Sequence, residues 1–134
     1  MNDKQQIENV VQLYVDSMDE SNPDKVKQAF HINAKVVGYL HGDFMEMSVD
    51  DFSGFVAAQQ PSPKEKGENV VLEILSCEIQ GATASVKVRD KYLGITFLDI
   101  LSFIKIDSDW KIYNKSVSYT HLRAHETRGN LVCR

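Results

Sequence analysis

Asp99 is the residue whose type and position most directly suggest chemistry. It lies within Ile95–Ile106, a run that is apolar at nearly every position and too dense for a strand with one wet face, so we expect both faces to be covered. A carboxylate in such a strand loses its charge, acquires partners or lines a cavity. Asp99 is therefore the first candidate for a binding or acid–base group.

Tyr14 is the natural partner for this carboxyl. It falls on the apolar stripe of an N-terminal segment, and a buried tyrosine hydroxyl needs a hydrogen-bond partner. Alternation along the strand puts Phe97, Asp99 and Leu101 on one face. We expect Asp99 on the concave face, within reach of Tyr14 and with its pKa raised by burial. A structural aspartate bonded to Tyr14 or to a backbone amide is the alternative.

Asn114 could add a third polar group. In the last strand it is expected to share a face with Trp110 and Ile112. A strand-end amide bonded to the neighbouring chain is the alternative interpretation.

Other chemistries have weaker signals. His31, His41 and Asp43 could together hold a metal, but their spacing matches no known ligand pattern, and we expect no metal and no cofactor. Cys77 lies mid-strand without a paired base, which indicates a buried, inert thiol. Nucleophile motifs and glycine-rich phosphate loops are absent from the sequence.

Helices are predicted in three places. Asp3–Asp19 is amphipathic and ends at Glu20–Pro23, where Asn22 can cap a second short helix that runs to about Phe30. Ser48 caps a third helix, which carries Phe52, Phe55 and Val56 on one face.

The remaining segments read as strands. Ala34–Leu40 pairs with Phe44–Met47 around the turn His41–Asp43, and the stretch 60–68 is a solvated loop. Further strands are predicted at 69–80, 82–91 and 95–106, and a last one begins at Trp110 after the turn 107–109. Helices packed on one face of a mostly antiparallel sheet make an α+β domain.

Composition limits the functional classes. A chain of 134 residues is one domain, and its net charge of −4 without a basic stripe argues against nucleic-acid binding. No apolar run reaches the roughly 20 residues of a membrane span. The N-terminus has no signal-peptide pattern, so we expect a cytoplasmic protein. Two cysteines indicate no disulfide framework.

The C-terminal stretch has a different character. Val117–Thr127 has neither strand alternation nor a helical stripe, and with Leu131–Arg134 it resembles a translated sequencing adapter in one reading frame. We therefore expect a domain at 1–115 and a non-native tail at 116–134. A natural tail rich in arginine and histidine is the alternative. The tail should extend the last strand only by backbone pairing.

A family resemblance rests on the stretches Val10–Val15, Ala29–Ala34, Phe97–Asp99 and Trp110–Lys115. Taken in order, they resemble the lumazine-binding branch of the nuclear-transport-factor-2-like superfamily, which also holds SnoaL-like and ketosteroid-isomerase-like proteins. The resemblance implies a cone, with a curved sheet wrapped around N-terminal helices, an internal pocket, and dimerisation through the outer sheet face.

The ketosteroid isomerase relatives suggest specific roles. By resemblance, Tyr14 and Asp99 fall on the hydrogen-bonding tyrosine and protonated aspartate of those enzymes. Their general-base position falls on Gly38, which cannot take a proton. No catalytic residue is therefore assigned.

Three functions remain open from the sequence. The first is a homodimer, paired through Leu98, Ile100, Ser102 and Ile104, that binds a small molecule in a semi-apolar pocket. The second is an isomerase, dehydratase or cyclase that uses Asp99 or His41 in acid–base chemistry, and the third is a non-catalytic interaction module. The pocket candidates are Tyr14, Phe30, Phe55, Phe97, Asp99, Leu101, Trp110, Ile112 and Asn114.

Overall fold

The computed structural model describes residues 1–119 of the chain. The helices are α1 (Asp3–Asp19), α2 (Pro23–Ala29) and α3 (Val49–Ala57). The strands are β1 (Phe30–Leu40), β2 (Asp43–Ser48), β3 (Val71–Gln80), β4 (Thr83–Tyr92), β5 (Ile95–Ile106) and β6 (Asp109–Tyr119). None of the helices in this part of the chain is long and apolar enough to cross a membrane.

Local sequence signals set where the helices begin. Asn2 caps α1 in a capping box with Gln5, and Asn22 caps α2 ahead of Pro23. Ser48 caps α3, where its hydroxyl accepts a hydrogen bond from the backbone N–H of Asp51 at 3.1 Å. The predicted starts of all three helices are thus confirmed by cap contacts.

The strands form one six-stranded sheet in the order β2-β1-β6-β5-β4-β3. All neighbours are antiparallel except β1 and β6, which pair in parallel with Gly38 opposite Val117. This makes the predicted α+β class and mostly antiparallel sheet correct. The parallel pair brings the last strand into the middle of the sheet, where it separates the first hairpin from β5.

One face of the sheet wraps the helices and holds the core. Along β4 the buried positions are Ala84, Val86, Val88, Asp90 and Tyr92, alternating with exposed ones. From the helices, Ile7, Tyr14, Met18 and Val56 are fully buried against this inner face. Burial of these apolar side chains is the main source of stability.

The outer face of β5 is only partly covered within one chain, as expected for the face that was predicted to pair with a second copy. Leu98 and Ile100 are 36% and 40% exposed, whereas Ser102 and Ile104 are half-buried. The helices lie on the opposite side, so nothing within residues 1–119 packs over this stripe as a further layer.

Two boundaries differ from the predicted ones. Phe30 and the following residues belong to β1 because the chain leaves α2 in extended conformation at Phe30 and pairs it with Ile112. At the other end, β6 runs past Lys115 to Tyr119 and pairs with both β1 and β5. The side chain of Val117 is 9% exposed and belongs to the hydrophobic core. The expectation that this segment contributes only backbone pairing is therefore wrong at Val117. The rest of the predicted tail lies outside the described residues.

Candidate functional site

A cluster of polar side chains is buried inside the cone, between α1 and the inner face of the sheet. Its members, the interior polar cluster, are Tyr14, Asp90, Tyr92, Asp99 and Lys115. Each of these five residues is at most 6% exposed. Ionisable groups are rarely buried to this degree in a protein interior, so the cluster is the first candidate for a functional site.

Strand register brings the two carboxyl groups together. Val88 pairs with Asp99 and Asp90 pairs with Phe97, so the aspartates are diagonal neighbours across β4 and β5. Both point to the inner face, where they are 1% and 2% exposed. The prediction that Asp99 faces inward is thus confirmed.

An irregularity in β6 adds the lysine to this cluster. Between Ser102 and Phe103 the register with β6 shifts, so Tyr113 is left without an opposing residue on β5. After this bulge Lys115 pairs with Leu101 and faces inward.

The same bulge turns Asn114 away from the interior. Asn114 pairs with Ser102 on the outer side, and its Nδ2 donates to Ser116 Oγ at 3.1 Å. The expectation that Asn114 shares a face with Trp110 and Ile112 is therefore wrong, because simple alternation does not pass through a bulge.

The hydroxyls of Tyr14 and Tyr92 have no hydrogen-bond partners within residues 1–119. The carboxyls of Asp90 and Asp99 lie close enough to share a hydrogen bond when one of them is protonated, and the backbone N–H of Ser118 is directed at Asp99, but no other side chain of residues 1–119 bonds to them. The expected hydrogen bond between Tyr14 and Asp99 is therefore not formed. Each unpartnered buried polar group costs about 1–3 kcal/mol of folding free energy.

Burial changes the acid–base properties of these groups. Burial, opposed by the charge of Lys115 and supported by the adjacent Asp90 carboxyl, raises the pKa of Asp99 to about 8. Burial also raises the pKa of Asp90, again opposed by Lys115, and the pKa values of both tyrosines. The direction expected for Asp99 is confirmed, and its cause is desolvation of the charged form.

Lys115 brings one positive charge to the interior. Its Nζ lies 4.8 Å from the ring centroid of Tyr14 and 4.6 Å from that of Phe52, a cation–π arrangement. No carboxylate in the described part of the chain lies within salt-bridge distance of this Nζ.

Aromatic rings form the apolar side of the site. Phe30 meets Tyr14 edge-on with ring centroids 5.7 Å apart, and Phe52 lies at the same distance from Phe30. Phe55, on the same helix as Phe52, is 41% exposed, and its ring packs edge-on against that of Tyr92 with ring centroids 6.4 Å apart. Phe55 thus connects the interior to the protein surface.

Other predicted pocket residues are distributed along the inner face. Leu101 is fully buried opposite Lys115, and Phe97 is half-buried beside Asp90. Ile112 is also fully buried, opposite Phe103.

Trp110 lies at the far end of the inner face, away from the carboxyl pair. It pairs with Lys105, and its Nε1 donates to Asp3 Oδ1 at 3.1 Å, which ties β6 to α1. The hydrogen bond of Trp110 therefore has a structural role, which is to hold β6 against α1.

Gly38 is enclosed by backbone. A Cβ at this position would lie 2.9 Å from the N and C atoms of Val117 and closer still to its carbonyl oxygen. No acidic side chain can occupy this position without displacing β6, so a base would have to come from elsewhere.

The histidine candidates lie outside the interior polar cluster. His41 is in the exposed turn between β1 and β2, and His31 stacks on Tyr113 with ring centroids 4.6 Å apart. Within residues 1–119 no three His, Cys, Asp or Glu side chains are grouped in a way that could hold a metal ion. Cys77 is half-buried, less than was expected, and burial raises its pKa.

A surface groove of 760 Å³ lies apart from the predicted pocket residues. It is formed by the loop before β3 and the turn between β4 and β5, and its lining includes Lys66, Asn69, Lys91 and Leu93. Its mixed charge and its open shape give no clear ligand chemistry.

The sequence interpretation missed Asp90 and Lys115. Asp90 was detectable, because it falls in the same alternating phase as Val86, Val88 and Tyr92. Lys115 was not detectable, since its orientation depends on the bulge at Tyr113.

Comparison with known proteins identifies related sequences and folds. A family model described as "Putative lumazine-binding" matches residues 2–118. The aldolase FrzH of Cladobotryum sp. is 24% identical over 102 residues, which are 76% of this chain and 79% of that protein.

Two solved structures share the fold. A nuclear-transport-factor-2-like protein of unknown function from Silicibacter pomeroyi superposes with a TM-score of 0.77 at 22% identity, over 89% of this chain and 99% of that one. One from Methylobacillus flagellatus has a TM-score of 0.77 at 23% identity, over 87% and 91% of the two chains. The fold predicted from the sequence is thus confirmed.

Proposed function

Because the chain belongs to the family described as "Putative lumazine-binding", with a nuclear-transport-factor-2-like fold, we propose that it binds a small molecule at the interior polar cluster. The observation that carries the proposal is the set of buried oxygens on Tyr14, Asp90, Tyr92 and Asp99. The two hydroxyls have no partner within residues 1–119, and the two carboxyls have only each other and the backbone N–H of Ser118. A ligand with its own donors and acceptors would satisfy them and remove the desolvation cost.

Charge balance favours a ligand that is neutral overall. Near neutral pH Asp99 holds its proton, because burial raises its pKa to about 8, so the carboxyl pair carries at most one negative charge beside Lys115. A ligand carrying a net charge would disturb this balance in a low-dielectric interior. The rings of Phe30 and Phe52 and the side chain of Leu101 favour an apolar body on the ligand.

The outer sheet face supports pairing of two copies. Leu98 and Ile100 form an exposed apolar stripe at the centre of the sheet, and such stripes are commonly covered by association. A homodimer paired through this face is therefore part of the proposal. All five members of the interior polar cluster come from a single chain.

An enzyme with acid–base chemistry is the second candidate. It is favoured by Asp99, whose pKa of about 8 lies near the value that suits proton transfer at neutral pH. The similarity to a protein named an aldolase points the same way, although its identity to this chain is only 24%. His41 lies in an exposed turn and gives this candidate no support.

A non-catalytic interaction module explains the interior less well. A pocket filled only for packing would be expected to hold apolar side chains or paired polar groups. The unpartnered hydroxyls of Tyr14 and Tyr92 and the buried carboxyl pair impose a cost that such a core avoids.

A thermal-shift screen of neutral, partly apolar compounds tests the proposal. A compound present at 100 times its dissociation constant stabilises the folded state by about 2.7 kcal/mol. The gain should disappear in Asp99→Asn and persist in the surface variant Glu73→Gln, whose native carboxylate binds Arg89 on the outside of the sheet. Stabilisation that survives in both Asp99→Asn and Asp90→Asn would place the ligand elsewhere and refute the proposal.

A further inference from the structure

Lys115 is a buried nucleophile to which the proposed binding function assigns only its charge. Its residue exposure is 6%, and its Nζ forms no salt bridge to any group of residues 1–119. The contacts of this nitrogen are the ring faces of Tyr14 and Phe52. A lysine kept only for structure is normally paired with a carboxylate or extended into water.

The groups around Lys115 can carry protons. Asp90 and Asp99 face it from β4 and β5, and both carboxyls are affected electrostatically by its charge. Tyr14 faces it from α1, and Tyr92 completes the buried polar surface. Two adjacent carboxyls in a low-dielectric site hold one proton between them, so the site contains an acid and a base at the same time.

We propose that Lys115 forms an imine with an aldehyde or ketone bound at the interior polar cluster, with Asp90 and Asp99 as the proton-transfer groups. The inference rests on the proposed ligand site and names its substrate class as carbonyl compounds. It gives Lys115, Asp90 and Asp99 catalytic roles.

The reaction balances with the groups present. Asp90 accepts a proton from the Lys115 ammonium, and the free amine forms a C–N bond to the carbonyl carbon. The carbonyl oxygen takes the proton of Asp99, and the Asp99 carboxylate then takes one of the two protons on the nitrogen, giving a neutral carbinolamine. Asp90 gives its proton to the hydroxyl group, the C–O bond breaks, water leaves, and the nitrogen lone pair forms the C=N bond. The products are one protonated protein imine and one water molecule, with Asp90 ionised and Asp99 protonated as at the start.

The surroundings suit this step. Aromatic faces hold the nitrogen away from bulk water, and an imine that is shielded from water hydrolyses more slowly. Phe55 is partly exposed and contacts Tyr92 at the edge of the interior polar cluster.

Borohydride trapping tests the inference on the full chain. The protein is incubated with dihydroxyacetone, reduced with sodium borohydride, digested and analysed by mass spectrometry. We expect modification at Lys115 to be about tenfold or more faster than at any surface lysine. Lys111, on the same strand and bonded to the exposed carbonyl of Gln28, is the internal reference.

Variants separate imine formation from binding. Lys115→Arg keeps the positive charge and should lose trapping completely, whereas Lys111→Met should leave trapping at Lys115 unchanged. Asp90→Asn and Asp99→Asn should slow trapping without abolishing it. If Lys115→Arg fails to fold, Lys115→Met serves as the second variant.

The outcomes distinguish this inference from the proposed function. Equal labelling of Lys115 and Lys111, or no labelling of Lys115, overturns the imine. Exchange of α-hydrogens of dihydroxyacetone in deuterium oxide that persists in Lys115→Arg would also overturn it, because the carboxyl pair would then act directly. In either case, ligand stabilisation lost in Asp99→Asn would leave the binding function standing.

Discussion

Asp90 and Asp99 are diagonal neighbours on the inner face of β4 and β5, and their carboxyls lie close enough to share a hydrogen bond. Two carboxyls so placed cannot both be ionised at low cost. With Lys115 as the adjacent positive charge, one shared proton makes the cluster neutral. This relationship governs how the protein should respond to pH.

Stability is predicted to fall as the pH rises from about 4 to 8. The folded pKa of Asp99 is raised to about 8 from 3.8, so the folded state binds more protons than the unfolded state over this range. The stabilisation is fully present below the unfolded pKa of Asp99 and is lost as the pH rises through its folded pKa. The free energy of unfolding should fall by at most about 1.4 kcal/mol per pH unit.

Asp99→Asn should flatten that dependence. An amide of the same shape cannot ionise, so the free energy of unfolding of the variant should change less between pH 5 and pH 8. The difference in stability between the variant and the native chain should therefore shift in favour of the variant at pH 8. Urea unfolding at both pH values measures this, with Glu73→Gln as the surface control. An unchanged slope in Asp99→Asn would mean that this carboxyl ionises freely in the folded protein.

Much of the fold was predictable because its signals are local. The caps at Asn2, Asn22 and Ser48 and the alternation of β4 require only short stretches of sequence. The inward orientation of Asp99 followed from the same alternation.

The site was predictable only in part, because it depends on distant contacts. Lys115 enters the interior through a bulge, which depends on how β6 pairs with β5. Asp90 was overlooked although its phase was readable, since a single charge within a strand that already carries Lys87 and Arg89 does not stand out.

Gly38→Ala is predicted to destabilise the protein by about 2–4 kcal/mol. The added methyl would meet the backbone of Val117, which cannot move without breaking the pairing of β1 and β6. Gly54→Ala is the matched control, because nothing lies within 4 Å of its added Cβ and alanine favours a helix. Equal stability of the two variants would show that β6 yields easily at this point.

Ile100→Lys should convert the proposed dimer to a monomer. A charge in the middle of the apolar stripe on β5 would be desolvated on association, which opposes pairing. Sedimentation velocity measures the change, and Tyr39→Lys in the exposed first hairpin is the control. A native chain that sediments as a monomer at micromolar concentration would contradict the dimer.

Shortening the chain should separate the last strand from the predicted tail. A chain ending at Tyr119 should keep its thermal stability and ligand binding. One ending at Lys115 should lose several kcal/mol, because Val117 is buried and its backbone pairs with Gly38 and Asp99. Loss of ligand binding in the longer of these two chains would assign function to residues 120–134.

Native mass spectrometry of the full chain purified from cells tests the central claim most directly, namely that the interior polar cluster holds a small molecule. We expect a non-covalent adduct of constant mass on the native chain and on Glu73→Gln, with at least tenfold lower occupancy on Asp99→Asn, a loss of about 1.4 kcal/mol in binding. Equal occupancy on all three proteins, or a native chain that carries no adduct and takes up none of the compounds found by thermal shift, would contradict the account.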